Sequence, residues 1–107
     1  MNGLLVFCNA PSQDVADTLA TALLEERLAA CVNILAPCRS VYRWQGRVES
    51  TVEIPLLIKT SAQVYPALQA RIAALHPYQV PEIVACEISQ GLPAYLTWVQ
   101  QALISTD

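Results

Sequence analysis

The chain has 107 residues, 54% of them apolar and only 14% charged, with a formal net charge of −3. Six lysines and arginines leave no basic footprint for nucleic acid, and no apolar run approaches the roughly 18 residues of a membrane-spanning helix. The opening MNGLLVFCNAP has no basic region and too short an apolar stretch for a secretory leader, so a cytoplasmic location is expected.

One domain over residues 1–107 is expected, because a chain of this size buries a core without disulfides or a structural metal. Its charged fraction lies well under the usual value of about 25%. So sparse a surface charge on a small body predicts that apolar side chains face other copies of the chain.

Leu4 to Cys8 is a short apolar run stopped by Asn9, Ala10 and Pro11, which predicts a buried strand. Ser12 is placed to cap a helix, with Asp14 in its first turn. Val15, Ala16, Leu19, Ala20, Leu23 and Leu24 then recur with helical spacing to about Arg27. Ala29 to Leu35 reads as a second strand, interrupted by Pro37, which cannot donate to a ladder.

SVYRWQGRVESTVEI reads as two β-rich runs joined at Gln45-Gly46, where Gly46 takes positive φ freely. After the turn, Val48, Val52 and Ile54 alternate with Arg47, Glu49, Thr51 and Glu53, the pattern of a strand with one buried and one polar face. Both arms extend past an ordinary strand and need something to pair with. Pro55 is expected at an edge or bulge rather than in a fully paired centre. A second helix follows LLIKT. Thr60 and Gln63 match a capping box, but Pro66 moves the expected start to between Ala62 and Tyr65. Pro77 ends this helix and pushes His76 out of helical geometry. Glu82 to Ile88 is a further strand. Pro93 opens a last helix with Tyr95, Trp98, Val99, Ala102 and Leu103 on its apolar face.

The order βαββαβ with a terminal helix predicts an α+β fold, a ferredoxin-like antiparallel sheet. The four cysteines contain no CxxC pair; Cys31 and Cys86 read as small apolar residues inside strands, whereas Cys8 sits at a strand end where side chains emerge toward a site.

EERLAACVNI, SVYRWQGRVE, LLIKT, HPYQVPEIVA and YLTW occur in the order seen in the CutA divalent-cation tolerance family, and the chain resembles that family from FCNAP to the last helix. The resemblance implies a compact homotrimer similar to PII signalling proteins and a role in tolerance to copper and other metals. It implies no enzymatic reaction. Against the commoner family pattern, Gln79 replaces a glutamate, Pro55 a strand-continuing residue, and Leu75 a histidine that some relatives carry before the His-Pro pair.

Two readings of the site stand side by side. The resemblance places proposed metal ligands at Cys8 and His76, a thiolate and an imidazole suited to copper or another divalent ion. Two protein ligands fall short of a closed site, so any such binding is expected to be weak. The second reading makes Trp44, Glu53, Lys59, Tyr78, Glu82 and Tyr95 the walls of a cleft between subunits, by analogy with PII-like trimers, for a small-molecule effector or a protein partner. Against both stands the plain alternative: His76 as a helix terminator, and Glu53 with Lys59 as a surface ion pair.

Overall fold

The computed structural model describes residues 2–105. Strand β1 (Gly3–Ala10) leads into helix α1 (Gln13–Glu25), then strands β2 (Cys31–Ile34), β3 (Cys38–Trp44) and β4 (Arg47–Ser61). Helix α2 (Tyr65–Leu75), strand β5 (Ile83–Glu87) and helix α3 (Pro93–Ala102) complete the order. The sheet runs β2-β4-β1-β5, antiparallel at every pairing, with β3 paired to β4 beyond the end of β2. This is the predicted ferredoxin-like α+β arrangement. Strand β1 runs two residues past the predicted stop, because Asn9 and Ala10 pair with Pro55 and Ile54.

The period-two pattern decides which face closes. Val6, Cys8 and Ala10 of β1 and Ile54, Leu56 and Ile58 of β4 pack with Leu19 and Leu23 of α1 and Leu68 and Ile72 of α2 in one buried cluster. Leu5, Phe7 and Leu57 alternate onto the other face and stay only partly covered. Burial also reverses the cysteine expectation. Cys8 belongs to the core, whereas Cys31 is half-buried and Cys86 exposed, because both fall in the cross-strand row of Leu5 and Lys59 on the less covered face.

Local chemistry sets the ends. The Ser12 hydroxyl accepts the Val15 N–H at 3.2 Å, capping α1 as predicted. The Thr60 hydroxyl is not a cap. It donates to the Leu28 carbonyl at 2.8 Å in the core, and α2 begins at Tyr65 without a side-chain cap. Gln45 and Gly46 both have positive φ, 50° and 80°, so the turn joining β3 to β4 has the primed form that suits tight hairpins.

Pro55 lies inside the fifteen-residue β4 yet leaves no donor missing from a ladder. Its carbonyl accepts the Leu35 N–H at 2.9 Å, and in a strand the N and C=O of one residue face the same way. The absent N–H therefore faces the Leu35–Pro37 break between β2 and β3. That break is the edge the sequence required.

Past Pro55 the hairpin of β3 and β4 projects as an arm, and the molecule measures 44 × 25 × 23 Å along its principal axes. The expectation of one buried arm face fails within a single chain. Val48 and Val52 are 67% and 61% exposed, because no described residue covers them. Glu53, on the polar face, is the buried one at 7%.

Helix α3 is fastened by a residue that periodicity assigned merely to the end of α1. Arg27 adopts φ 59°, and its guanidinium donates to the Gln101 and Ala102 carbonyls at 3.0 and 3.1 Å. Those carbonyls end a helix and lack intrahelical partners, so a cation there satisfies them. Replacing Arg27 by alanine removes the fastening and keeps the left-handed strain, whereas glycine removes both. Chemical denaturation is expected to find Arg27→Gly less destabilised than Arg27→Ala by about 1 kcal/mol, with both variants speeding amide exchange in α3.

Candidate functional site

The candidate site forms where the arm leaves the sheet. Beyond Ala10 strand β1 ends, so Glu53 has β3 on one side, opposite Cys38, and no strand on the other. The connection from α2 to β5 occupies that open side. His76 takes the extended backbone that Pro77 demands, with ψ 134°, and its own N–H still closes α2 by donating to the Ile72 carbonyl at 2.8 Å.

The His76 ring is 6% exposed and fully engaged. Nδ1 accepts the Tyr78 N–H at 3.2 Å, which requires that nitrogen to carry no proton. The hydrogen therefore sits on Nε2, which donates to the Asn9 carbonyl at 2.7 Å. The ring also packs on Tyr78, centroid to centroid 4.7 Å. His76 thus ties the connection to the end of β1 and holds Tyr78 in place. The lone pair a metal would need is already spent on a backbone donor.

Cys8 precedes Asn9 but turns into the core, 1% exposed. Burial, reinforced by the nearby charges of Glu82 and Glu53, pushes its thiol up to about 12. That disfavours the thiolate a metal requires. Among the described residues no three His, Cys, Asp or Glu side chains gather as a metal cluster.

Four of the six predicted cleft residues do come together. Trp44, Glu53, Tyr78 and Glu82 line a cleft of about 580 Å³, one wall from the arm and the other from the 78–82 segment. The Tyr78 hydroxyl donates to Glu53 Oε2 at 3.0 Å, and Asn9 Nδ2 donates to Glu82 Oε1 at 3.4 Å. Desolvation, the hydrogen bond to Glu53 and the adjacent Glu53 charge, in that order, push the Tyr78 phenol up to about 12. Tyr78 therefore remains a donor throughout the physiological range.

Lys59 and Tyr95 lie elsewhere. The Lys59 ammonium bonds Asn33 Oδ1 and lies 3.9 Å from Cys31 Sγ, not beside Glu53. Tyr95 sits on α3 against Trp98, ring centroids 5.7 Å apart. The Glu53–Lys59 ion pair of the plain alternative is thus absent. Among the described residues the ion pair present is Arg71 with Glu26, at 2.9 Å.

Sequence reading missed Asn9, Ser40 and Tyr42 as parts of the cleft. Ser40 and Tyr42 share the arm face of Trp44 and Glu53, so the alternation that grouped Glu53 with Thr51 could have found them once β3 was set in register.

Comparison with known proteins accounts for the fold. The family model described as CutA1 divalent ion tolerance protein matches residues 4–102. The divalent-cation tolerance protein CutA of Thermus thermophilus is 52% identical over 97 residues, covering 91% of this chain and 94% of that protein. Protein CutA of Mus musculus is 42% identical over 95 residues, covering 89% of this chain and 54% of the mouse protein, so the chain spans about half of that relative. The solved structure of Cut A1 from Thermus thermophilus superposes with a TM-score of 0.93 at 50% identity, covering 94% of this chain and 98% of that one. A match that runs from β1 to the end of α3, at such identity and with the same sheet and helices, settles kinship: the chain belongs to the CutA1 divalent ion tolerance family.

Proposed function

We propose that the chain serves divalent-cation tolerance as a homotrimeric binding protein, working through the cleft between the arm and the 78–82 segment. Any copper or other divalent ion that binds does so weakly and without the Cys8 thiol or the His76 imidazole. In this reading residues 1–107 act as one cytoplasmic domain that binds rather than catalyses, with no membrane or nucleic-acid partner.

The observation that carries the reading is the contrast between the two candidate sites. His76 has both ring nitrogens engaged and Cys8 is a buried thiol. Glu53 and Glu82, by contrast, line an open cleft with three aromatic rings. Support for the trimer comes from the uncovered valines of the arm and from the partly covered sheet face behind the core. Apolar area of that kind contributes roughly 25 cal/mol per Å² when a second surface covers it.

In cells sensitised to copper by loss of their own family member, the wild-type chain is expected to restore growth. Trp44→Leu should fail, while His76→Asn, if it folds, and Cys8→Ser should succeed. The opposite ranking would return the function to the thiol and imidazole. Copper titrations of purified wild type, Cys8→Ser and His76→Asn should accordingly superimpose.

Assembly has its own test. Light scattering at micromolar concentration should give a mass three times the 11.7 kDa of one chain. A monomer would remove the trimer from this reading.

Cys8 provides a pH test. A thiol raised from 9.0 to about 12 on folding adds stability that is complete below 9.0 and disappears as pH climbs through the raised value. Stability of the wild type should therefore decline between those limits more than that of Cys8→Ala. Mass spectrometry after iodoacetamide treatment at pH 8 should find Cys8 unmodified in the native protein and alkylated once it is unfolded.

A further inference from the structure

We infer that the cleft recognises a small organic cation, a protonated amine or quaternary ammonium group held between aromatic rings and the Glu53 carboxylate. The inference rests on the cleft reading above and names the ligand class of that same site.

Charge is the first ground. The residues lining the cleft include two carboxylates, Glu53 and Glu82, and no lysine, arginine or histidine. Glu53 is more than nine-tenths buried, and no cationic side chain among the described residues lies within ion-pair distance of it. Its Oε2 takes the Tyr78 hydroxyl, while its second oxygen has no partner among the described residues and is not fully buried. A carboxylate withdrawn from water to that degree ordinarily has a cationic partner. Here the place for one is the cleft itself.

Shape and surface select the kind of cation. Tyr42 and Trp44 on the arm are 42% and 41% exposed, and Tyr78 faces them across the cleft. Aromatic faces attract an ammonium group, tryptophan most strongly, and retain it better once water is excluded. About 580 Å³ accommodates an organic ion with its substituents.

A bare divalent ion suits the cleft poorly. Calcium takes six to eight oxygen ligands. Here one carboxylate oxygen is committed to Tyr78, one Glu82 oxygen receives the Asn9 amide, and among the described residues no third His, Cys, Asp or Glu side chain joins the two glutamates as a metal cluster. An anion would meet two like charges, and a neutral ligand would leave Glu53 without a counter-charge.

Tetramethylammonium chloride tests this against tert-butanol, its uncharged counterpart of similar size, with sodium chloride matched for ionic strength and EDTA present to exclude divalent ions. Calorimetry and tryptophan fluorescence of the full chain should show saturable tetramethylammonium binding, about tenfold tighter than tert-butanol. Glu53→Gln, which keeps an acceptor for Tyr78, should weaken it about tenfold, and so should Trp44→Leu on the exposed arm. Glu26→Gln, remote beside Arg71, should leave it unchanged.

Equal binding of the two probes, or binding indifferent to Glu53→Gln and Trp44→Leu, overturns the inference. So does a Glu53→Gln variant that loosens the trimer while wild type ignores tetramethylammonium, since the neighbouring protomer would then supply the cation. If an anionic or neutral metabolite saturates the cleft instead, the cleft reading stands and the ligand class falls. If no probe binds and Trp44→Leu still restores copper tolerance, both fall together.

Discussion

Strand β4 has to serve three partners along fifteen residues, and the position of the cleft follows from that constraint. Lys59 to Leu56 pair with β2, Ser61 to Ile54 with β1, and Glu53 to Arg47 with β3. An uninterrupted β2 and β3 would leave Pro55 facing a ladder carbonyl to which it has no N–H to donate. The Leu35–Pro37 break removes that conflict. It also lets β3 follow the arm on one side of β4 while β1 ends on the other. Glu53 lies at that divergence, with one flank unpaired, and the 76–82 connection fills the vacancy.

Burial at this junction runs against residue type. Val48 and Val52 are open while Glu53 is closed, the reverse of what their solvation alone would favour. In the proposed reading, two surfaces outside the chain resolve it differently. Open valines gain from contact with another apolar surface, and a projecting arm with free strand edges gains from any partner that pairs with them. Glu53 gains from a hydroxyl donor, which Tyr78 provides, and from a positive charge, which no side chain among the described residues provides. In the proposed reading, assembly and ligand recognition are separate demands made by opposite faces of one hairpin.

Much of the fold was legible because its signals are local. The Ser12 cap, the Gln45-Gly46 turn, the Pro77 stop and the alternation in β4 each act over a few residues. Pro55 was readable as an edge signal, although only the register showed that the edge is a gap within the sheet. What escaped depends on contacts distant in sequence. Arg27 reads as the end of α1, yet it works on carbonyls more than seventy positions away. Cys8 reads as a strand-end ligand, but β1 continues to Ala10 and the pleat turns the thiol into the core. Lys59 and Glu53 are grouped as residues of motifs shared with the family, not by their places along β4. Six positions along an extended strand, at about 3.3 Å each, carry them roughly 20 Å apart.

His76 shows how one side chain can look like a ligand and act as a bracket. A metal-binding imidazole presents an unprotonated nitrogen to the ion and donates its other N–H to a protein acceptor. His76 has the donor half of that arrangement in Asn9, but its unprotonated nitrogen receives the Tyr78 N–H. The bracket fixes Tyr78 beside Glu53, and Pro77 and Pro81 restrict the backbone on either side. A wall made in this way loses little freedom when something binds against it, which favours affinity without adding a contact. The special residues of HPYQVPE are therefore accounted for by stiffness: histidine and prolines hold the segment, and the tyrosine and glutamate it carries do the facing.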